Sequence, residues 1–263
     1  MPENLTISVI TVCLNASSSI RRTIESVIHQ TRKPFEYIII DGGSTDGTLE
    51  IIHEYRDCIS HLVSEKDKGI SDAFNKGIQL CSGDVIGILN ADDWYESETL
   101  QRVADHMGEG DLLHGKLQYW RNGKKDYLAE GNHLKLSKEM TIHHPTIFVR
   151  KILYQECGLY RVDYKYAMDY ELALRFFLKS KRFVYVPETL ANMSFNGASD
   201  MNWNKAIRES KYAKLDNGLD RISSYIYYMK QIFRSYIARL LKRLGLNRAL
   251  KMYRKHFALV RKT

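Results

Sequence analysis

Apolar segments of strand length alternate with helical segments over the first hundred residues, and this alternation constrains the fold more than any other feature. Residues 6–13, 37–40, 59–63 and 85–89 are short apolar runs, most of them rich in β-branched residues. The stretches between them place apolar residues three or four positions apart, as one face of a helix requires. Strands that are apolar on both faces and joined by helices predict a parallel sheet covered on both sides, and hence an α/β fold.

The pattern becomes less regular after residue 107. The predicted elements there are strands within 111–150 with a turn at 121–124, a helix over 169–180, a strand over 182–186 ended by Pro187, and a helix over 202–216. We expect one domain over 1–220, made of a nucleotide-binding half, 1–107, and an acceptor half, 108–220. A helical tail, 221–263, would follow it.

The tail differs from the rest of the chain in its charge. Of the 39 basic residues, 12 lie after Asp220, where no acidic residue occurs; this leaves 27 against 31 acidic residues in the first 220, a net charge of −4 there. Apolar residues at helical spacing over 221–244 predict a basic amphipathic helix. Such a helix suits an anionic membrane surface. Packing in the core or against a partner helix is the alternative, and the acidic body argues against a nucleic-acid partner.

Composition narrows the class of protein further. Hydrophobic residues make up 44% of the chain and charged residues 27%, which is ordinary for a folded protein. No apolar run is long enough to span a membrane, and residues 1–4 do not resemble a secretion signal. Four scattered cysteines in no paired spacing predict buried thiols in a reducing compartment. We therefore expect a cytoplasmic protein, peripheral on the inner face of the cell membrane.

Polar residues follow three of the predicted strands. They are Asn15, the loop Asp41–Gly47, and Asn90–Asp93. Ligands of a parallel sheet bind beyond the carboxyl ends of its strands, so these residues are candidates for a ligand site. Some of these residues are also explained as helix caps. Ser44 or Asp46 would cap the helix after the loop, and Asp92 or Asp93 would cap residues 96–107. Ser17 is the expected cap of the helix over 17–30.

The loop Asp41–Gly47 lacks the lysine of a P-loop and the spacing of a dinucleotide fingerprint. It is acidic, so a diphosphate would be repelled here unless a divalent cation lay between them. Asp92 and its neighbours offer the hard oxygen ligands that Mg²⁺ or Mn²⁺ prefers, and no cluster of histidine and cysteine indicates zinc. The pattern predicts a metal ion bound together with phosphates.

These motifs together resemble glycosyltransferase family 2, and in particular its bacterial surface-polysaccharide branch. The resemblance covers roughly residues 5–200 and implies a GT-A-like α/β fold, with a mostly parallel central sheet, and an inverting enzyme that uses nucleotide-diphosphate sugars. It rests on four segments that occur in the family's order and spacing: Ile7–Asn15, Asp41–Gly47, Ser64–Gly77 and Asn90–Asp93.

The resemblance implies a donor site and its metal. Asn90–Asp92 corresponds to the Asp-x-Asp motif, in which Asp92 would bind the metal and Asn90 replaces the first aspartate. The residues implied to border the donor are Val12 and Asn15 at the nucleoside, Asp41 at the base or ribose, and Asp67, Lys76 and Asn90.

The resemblance also implies a general base. Asp169 lies in the family's Glu-Asp segment, with Met168 where glutamate is common, and would take the acceptor's proton. Without the family, Asp169 is better explained as the cap of the helix that follows. His143 and His144, together with Asp93, would contact the acceptor or the phosphates, or the histidines would satisfy loop carbonyls. Residues 196–199 resemble a glycine-rich turn near the active site.

The expected function is transfer of a sugar from a nucleotide-diphosphate sugar, UDP-linked, to a lipid-linked saccharide in bacterial surface polysaccharide synthesis. A sugar-phosphate nucleotidyltransferase is the enzyme alternative, although residues 13–22 lack its glycine-rich triphosphate loop. A catalytically inactive, membrane-associated binding module is the other alternative, and the intact Asp92 and Asp169 argue against it.

Overall fold

The computed structural model describes residues 5–179, 181–194, 202–246, 248–250 and 252–253. Its strands are β1 (Ile7–Cys13), β2 (Glu36–Asp41), β3 (His61–Ser64), β4 (Val85–Asn90), β5 (Trp94–Tyr95), β6 (Leu112–Arg121), β7 (Lys124–Ala129), β8 (Phe148–Arg150) and β9 (Phe183–Ser194). Its α-helices are α1 (Ile20–Ile28), α2 (Thr48–His53), α3 (Ile70–Leu80), α4 (Thr99–Met107), α5 (Lys151–Cys157), α6 (Met168–Leu178), α7 (Trp203–Asp216) and α8 (Arg221–Arg243). Short 3₁₀ turns lie at Arg56–Cys58, His133–Lys135 and His144–Thr146.

The nine described strands form one sheet in the order β3-β2-β1-β4-β8-β6-β9-β5, with β7 paired to β6. The strands β3, β2, β1 and β4 are mutually parallel, as the alternating pattern predicts. Beyond β4 the sheet is mixed, because β8 runs antiparallel to β4 and β6, whereas β6 and β9 are parallel. Strands of both expected halves therefore share one sheet.

Apolar side chains cover both faces of this sheet, as predicted. On β1, Ile10 and Val12 belong to one core cluster, whereas Ile7 and Val9 belong to the other, because successive residues of a strand point to opposite faces. Helices α3 and α6 cover the first cluster, and α1 and α4 cover the second. The α/β fold predicted from the sequence is thus confirmed.

Several predicted boundaries and caps are wrong. Helix α1 begins at Ile20, not at residue 17, and Ser17 instead donates its backbone N–H to Asp46 (3.1 Å). The strand β3 begins at His61, two residues later than predicted. Pro187 does not end β9, because the pairing with β6 shifts register between His114 and Lys116 and this irregularity accommodates a residue without an N–H.

Cys13, Cys81 and Cys157 are buried, as expected, whereas Cys58 is exposed, contrary to the expectation. All four are free thiols. Within the described part of the chain, none of the helices has the length and hydropathy that crossing a membrane requires.

Candidate active site

The polar strand ends meet at one edge of the sheet. Val12 pairs in register with Ile40 on one side and with Asn90 on the other, and Cys13 pairs with Asp41. The carboxyl ends of β1, β2 and β4 therefore lie side by side, as the sequence predicts. This edge is the candidate donor site.

Asp41 holds the loop after β2 together. Its carboxylate accepts hydrogen bonds from the Ser44 hydroxyl, the Ser64 hydroxyl (2.7 Å) and the backbone N–H of Ser44 (3.0 Å). Burial alone would raise the pKa of Asp41, but the bonds from Ser44 and Ser64 outweigh it and hold the pKa below its usual range. Asp41 has no exposed surface. Its predicted contact with a base or ribose stays a prediction, and this burial counts against it.

Asn15 joins the end of β1 to the same loop. It has a left-handed backbone (φ 50°), its Oδ1 accepts from the N–H of Thr45 (2.9 Å), and its own N–H donates to the Ser44 hydroxyl (2.8 Å). Left-handed backbone is one that asparagine tolerates better than most residues. The two strand ends are therefore fixed relative to each other before any ligand binds.

Lys76 and Asp67 lie beside this loop and are paired with each other. The Lys76 Nζ is 2.6 Å from Asp67, 2.8 Å from Glu65 and 3.4 Å from Asp72. Hydrogen bonds to Asp67 and Glu65 raise the pKa of Lys76, which is therefore cationic. A Cβ on Gly42 would lie 2.9 Å from Asp67 Oδ2, so only glycine allows the loop to approach this carboxylate so closely. Their contact with a donor stays a prediction.

The segment after β4 presents one exposed carboxylate and one buried carboxyl group. Asp92 is exposed, whereas Asp93 has no exposed surface and its oxygens accept no hydrogen bond from the described residues. Burial, and then the charge of Asp92, raises the pKa of Asp93 well above its usual value. Neither residue caps α4, which begins at Thr99. The predicted contact of Asp93 with acceptor or phosphate stays a prediction, although its burial opposes it.

Oxygen ligands for a divalent cation are present at this segment. Asp92 carries an exposed carboxylate. Asn90 Oδ1, two residues earlier, is buried and makes no hydrogen bond of acceptable geometry with the described residues, although the Asn90 side chain lies close enough to Asp93 to oppose the rise of its pKa. No group of three histidine, cysteine or acidic side chains lies close enough to enclose a metal within the part of the chain that the structure describes. The residues fit an open magnesium or manganese site whose other ligands come from phosphate and water.

A second group of polar residues approaches the same edge from the other half of the chain. Strand β8 runs antiparallel to β4, with Phe148 opposite Gly87. The residues just before β8 therefore lie near the carboxyl end of β4. The turn His144–Thr146 lies there, in contact with β4, β6 and β9. The topology thus places His144 at the edge that holds Asn90 and Asp92.

His144 lies between Phe74 and Asp169. Its ring stacks on Phe74 with 5.0 Å between centroids, and its Nδ1 is 3.2 Å from Asp169 Oδ1. That oxygen lies within ion-pair distance but makes no hydrogen bond of acceptable geometry. The side chain of Asp169 is 26% exposed. Oδ1 itself is buried beside His144, so the exposed part of the side chain lies elsewhere on Asp169. The residue can therefore be reached from its exposed side while Oδ1 stays against the His144 ring.

Asp169 does not cap α6, contrary to the alternative drawn from the sequence. The helix begins at Met168, and the backbone N–H groups before it donate to one carboxylate oxygen of Glu209 on α7. The donors are Lys165 (3.0 Å), Tyr166 (2.7 Å) and Ala167 (2.9 Å). Because Glu209 satisfies these groups, the Asp169 carboxylate remains available for chemistry.

Comparison with known proteins agrees with this arrangement. Residues 8–164 match the family described as "Glycosyl transferase family 2". The chain belongs to this family. It is therefore a glycosyltransferase, and its fold is of the GT-A type.

Individual relatives share this assignment. The chain is 32% identical over 177 residues to a "PGL/p-HBAD biosynthesis glycosyltransferase" of Mycobacterium bovis (strain BCG / Pasteur 1173P2), which covers 65% of this chain and 69% of the relative. S. aureus TarS 1-349 in complex with UDP-GlcNAc superposes with a TM-score of 0.67 at 19% identity, over 86% of this chain and 71% of that one. The mannosyltransferase PcManGT from Pyrobaculum calidifontis, in complex with GDP-Man and Mn2+, superposes with a TM-score of 0.62 at 16% identity, over 95% of this chain and 82% of that one.

Sequence reasoning missed two side chains at the site of this glycosyltransferase. Glu209 was one. The other is Arg22 on α1, whose guanidinium carbon lies 3.5 Å from the ring centroid of Trp94 and whose nitrogen donates to the backbone oxygen of Asp92 (3.1 Å). Burial lowers the pKa of Arg22 from its usual value, and the charge of Asp92 opposes this effect. Neither residue belongs to a local motif, so the sequence alone contained no signal for them.

The side chain of His143 has different neighbours from that of His144. Its ring meets the Tyr119 ring edge-on at 6.1 Å between centroids. Contact of either histidine with acceptor or phosphate stays a prediction. Residues 196–199, predicted to form a glycine-rich turn, lie outside the described residues.

Proposed function

We propose that this glycosyltransferase inverts the anomeric centre while it moves a sugar from a UDP-linked donor to a saccharide hydroxyl. The observation that carries the proposal is the Asp169 carboxylate, which is partly exposed and lies beside His144 at the edge that holds Asp92. The edge also has the polar strand ends that a nucleotide diphosphate requires.

The reaction is one displacement. Asp169 accepts the proton of the acceptor hydroxyl while that oxygen forms a bond to the anomeric carbon, and the bond from this carbon to the diphosphate oxygen breaks on the opposite face. The electron pair of the broken bond leaves with the nucleoside diphosphate. Because attack and departure occur on opposite faces, no enzyme nucleophile is needed.

We propose that Asp92, with Asn90 beside it, holds Mg²⁺ or Mn²⁺ at the diphosphate. When bound, the cation neutralises charge on the departing diphosphate. The PcManGT complex with Mn2+ supports a divalent cation, and the TarS complex with UDP-GlcNAc supports a uridine donor. Val12, near the end of β1, and Asn15, two residues after it, would border the nucleoside, because β1 lies between β2 and β4.

We further propose that the acceptor is a lipid-linked saccharide of bacterial surface polysaccharide synthesis and that the enzyme works at the cytoplasmic face of the membrane. The sequence resemblance to the surface-polysaccharide branch and the basic residues after Asp220 support this assignment. The domain limits at 107 and 220 are proposals of the same kind.

The substitution Asp169→Asn tests the base. It keeps the size of the side chain but removes its ability to take a proton, so the transfer rate should fall by roughly 10²- to 10⁴-fold. UDP affinity should not change, because no donor contact is assigned to Asp169. Purified protein would be incubated with a panel of nucleotide sugars, saccharide acceptors and Mn²⁺, and released nucleotide and UDP binding would be measured.

Asp105→Asn is the matched control, since Asp105 is an exposed carboxylate on α4 that pairs only with Gln101 in the described contacts. It should leave turnover unchanged. Full turnover of Asp169→Asn would overturn the base assignment. UDP binding by the wild-type protein without turnover of any donor would instead indicate an inactive binding protein.

A further inference from the structure

One face of α8 exposes apolar side chains along the length of the helix. Phe233 is 67% exposed, Met229 60% and Ile226 51%, which is unusual for side chains of this size. The exposed apolar residues follow one another at three- and four-residue spacing, which places them on one stripe. The stripe consists of Ile222, Ile226, Met229, Phe233, Tyr236, Leu240 and Leu244, the last directly after the helix.

The opposite face of α8 is attached to the catalytic body. Ser224 is buried, and the Tyr227 hydroxyl and the Gln231 amide both donate to Glu139 (3.0 and 2.9 Å). These residues lie half a turn away from the apolar stripe. The body therefore fixes the rotation of the helix and leaves the stripe exposed, although the Tyr236 ring meets the Trp203 ring of α7 edge-on at 5.4 Å between centroids.

Lysines of α7 strengthen this attachment. Lys211 lies over the rings of Tyr225 and Tyr228, at 4.5 and 4.9 Å from their centroids, and Lys214 lies 3.9 Å from that of Tyr227. Burial lowers the pKa of Lys214 to about 8, although Glu139 opposes the shift. Cation–π contacts in a half-buried interface are favourable. The alternative drawn from the sequence has Tyr225, Ile226, Met229 and Phe233 packed on the body. Tyr225 does contact Lys211 of α7, whereas Ile226, Met229 and Phe233 are exposed.

Basic residues flank the apolar stripe. Arg221, Lys230 and Arg243 are exposed, and no acidic residue follows Asp220 anywhere in the chain. Asp220 itself is engaged as the cap of α8, where it accepts from the Ser223 N–H (2.7 Å). The surface is thus apolar along its centre and cationic along its edges.

We propose that the stripe of α8 is a docking surface for an anionic lipid bilayer, on which the helix lies parallel to the membrane. The 23-residue helix is about 34 Å long at 1.5 Å per residue, and its apolar side chains would enter the acyl boundary while its basic residues meet lipid phosphates. A second copy of the chain suits this face less well, because pairing two such stripes would bring basic edges together without an acidic partner.

Docking through α8 would hold the enzyme at the membrane, where a lipid-linked acceptor lies. Only the identity of that acceptor rests on the proposed function. Point substitutions in α8 test the docking surface better than a truncation does, because α8 packs on α7. Removal of residues 221–263 would delete the stripe and would also uncover Lys211 and Lys214 of α7, whose ammonium groups lie over tyrosine rings of α8.

The test uses the full chain and two kinds of vesicle, phosphatidylcholine alone and phosphatidylcholine with phosphatidylglycerol. Wild-type protein should float with the anionic vesicles, and high salt should release it in part. Met229→Gln with Phe233→Gln should weaken binding at least tenfold, because two apolar side chains lose their burial. Lys230→Gln with Arg243→Gln should weaken it about fivefold per charge.

The matched control is Leu134→Gln with Val162→Gln, which removes two apolar side chains that are 73% and 54% exposed on the body. It should bind vesicles as the wild type does. All variants should bind UDP as tightly as the wild type does. If the wild-type protein itself does not bind UDP, the proposed function is wrong, but the docking surface is not affected by that result.

Two outcomes would overturn the proposal. One is a wild-type protein that ignores anionic vesicles at low salt. The other is a concentration-dependent dimer that Met229→Gln with Phe233→Gln converts to monomer, since the stripe would then bind a second copy.

Discussion

Replacing Glu209 by alanine should destabilise the protein and displace Asp169, the proposed catalytic base. One carboxylate oxygen of Glu209 accepts three backbone N–H groups at the start of α6, from Lys165, Tyr166 and Ala167 at 2.7–3.0 Å. Hydrogen bonds to a charged group contribute about 1.5–3 kcal/mol each. Because the three bonds share one oxygen and the side chain is half-buried, we expect a total loss of about 2–4 kcal/mol.

Thermal unfolding followed by circular dichroism measures this loss. For a chain of this size each kcal/mol shifts Tm by about 2–4 °C, so Glu209→Ala should lower Tm by roughly 5–15 °C. Glu209→Gln keeps an acceptor oxygen and should lose less than half as much. Arg208→Ala is the control, because Arg208 is an exposed neighbour on α7.

The same substitution should lower activity below the unfolding temperature. Asp169 is the second residue of α6, so loosening the start of this helix moves the carboxylate away from its place beside His144. The value of kcat should fall while UDP affinity is retained. A Glu209→Ala protein with wild-type Tm would refute the stabilising role of these bonds, and wild-type kcat would refute their role in placing Asp169.

Two further predictions concern the metal and the pH dependence. Asp92→Ala should abolish transfer and weaken UDP binding in the presence of Mn²⁺ but not in EDTA; unchanged turnover with an intact fold would remove Asp92 from the metal site. Burial, with the neighbouring His133, lowers the pKa of His114 to about 3, so the folded protein keeps this residue neutral while the unfolded chain gains a proton below about pH 6.5. Stability should therefore fall as the pH drops from about 6.5 toward 3, by about 1.4 kcal/mol per pH unit from this residue, and His114→Gln should show a shallower slope in urea unfolding; equal slopes would contradict the assignment.

The meeting of the polar strand ends at one edge of the sheet was predictable, because these residues occupy fixed places relative to buried strands. Apolar runs identify β1, β2 and β4, and parallel strands bring their carboxyl ends to one edge, so Asn15, Asp41 and Asn90 follow from pattern alone. The sequence pattern did not predict that Asp92 and Asp93 differ in exposure. One is exposed and the other fully buried, since the chain turns sharply after β4 and neighbouring side chains point in opposite directions.

The role of Asp169 required both the family resemblance and the tertiary structure. From the sequence, an aspartate at the start of a helix is a cap. The structure shows that α6 has no side-chain cap at its N-terminus and that the N–H groups just before it donate to Glu209, 40 residues further along the chain than Asp169. Because that partner comes from another helix, no local spacing could identify it.

The amino-acid sequence by itself determined the α/β core, the polar edge of the sheet and the basic, amphipathic character of α8, because the period of apolar residues shows which face of each element is buried. The tertiary structure decided which polar groups meet across distant segments: His144 with Asp169, Glu209 with the start of α6, and Glu139 with Tyr227. It also decided the rotation of α8, since the apolar stripe alone does not tell whether it faces the body or the outside. Polar pairing depends on distance and direction in three dimensions, and these are properties of the packed chain, not of any one segment.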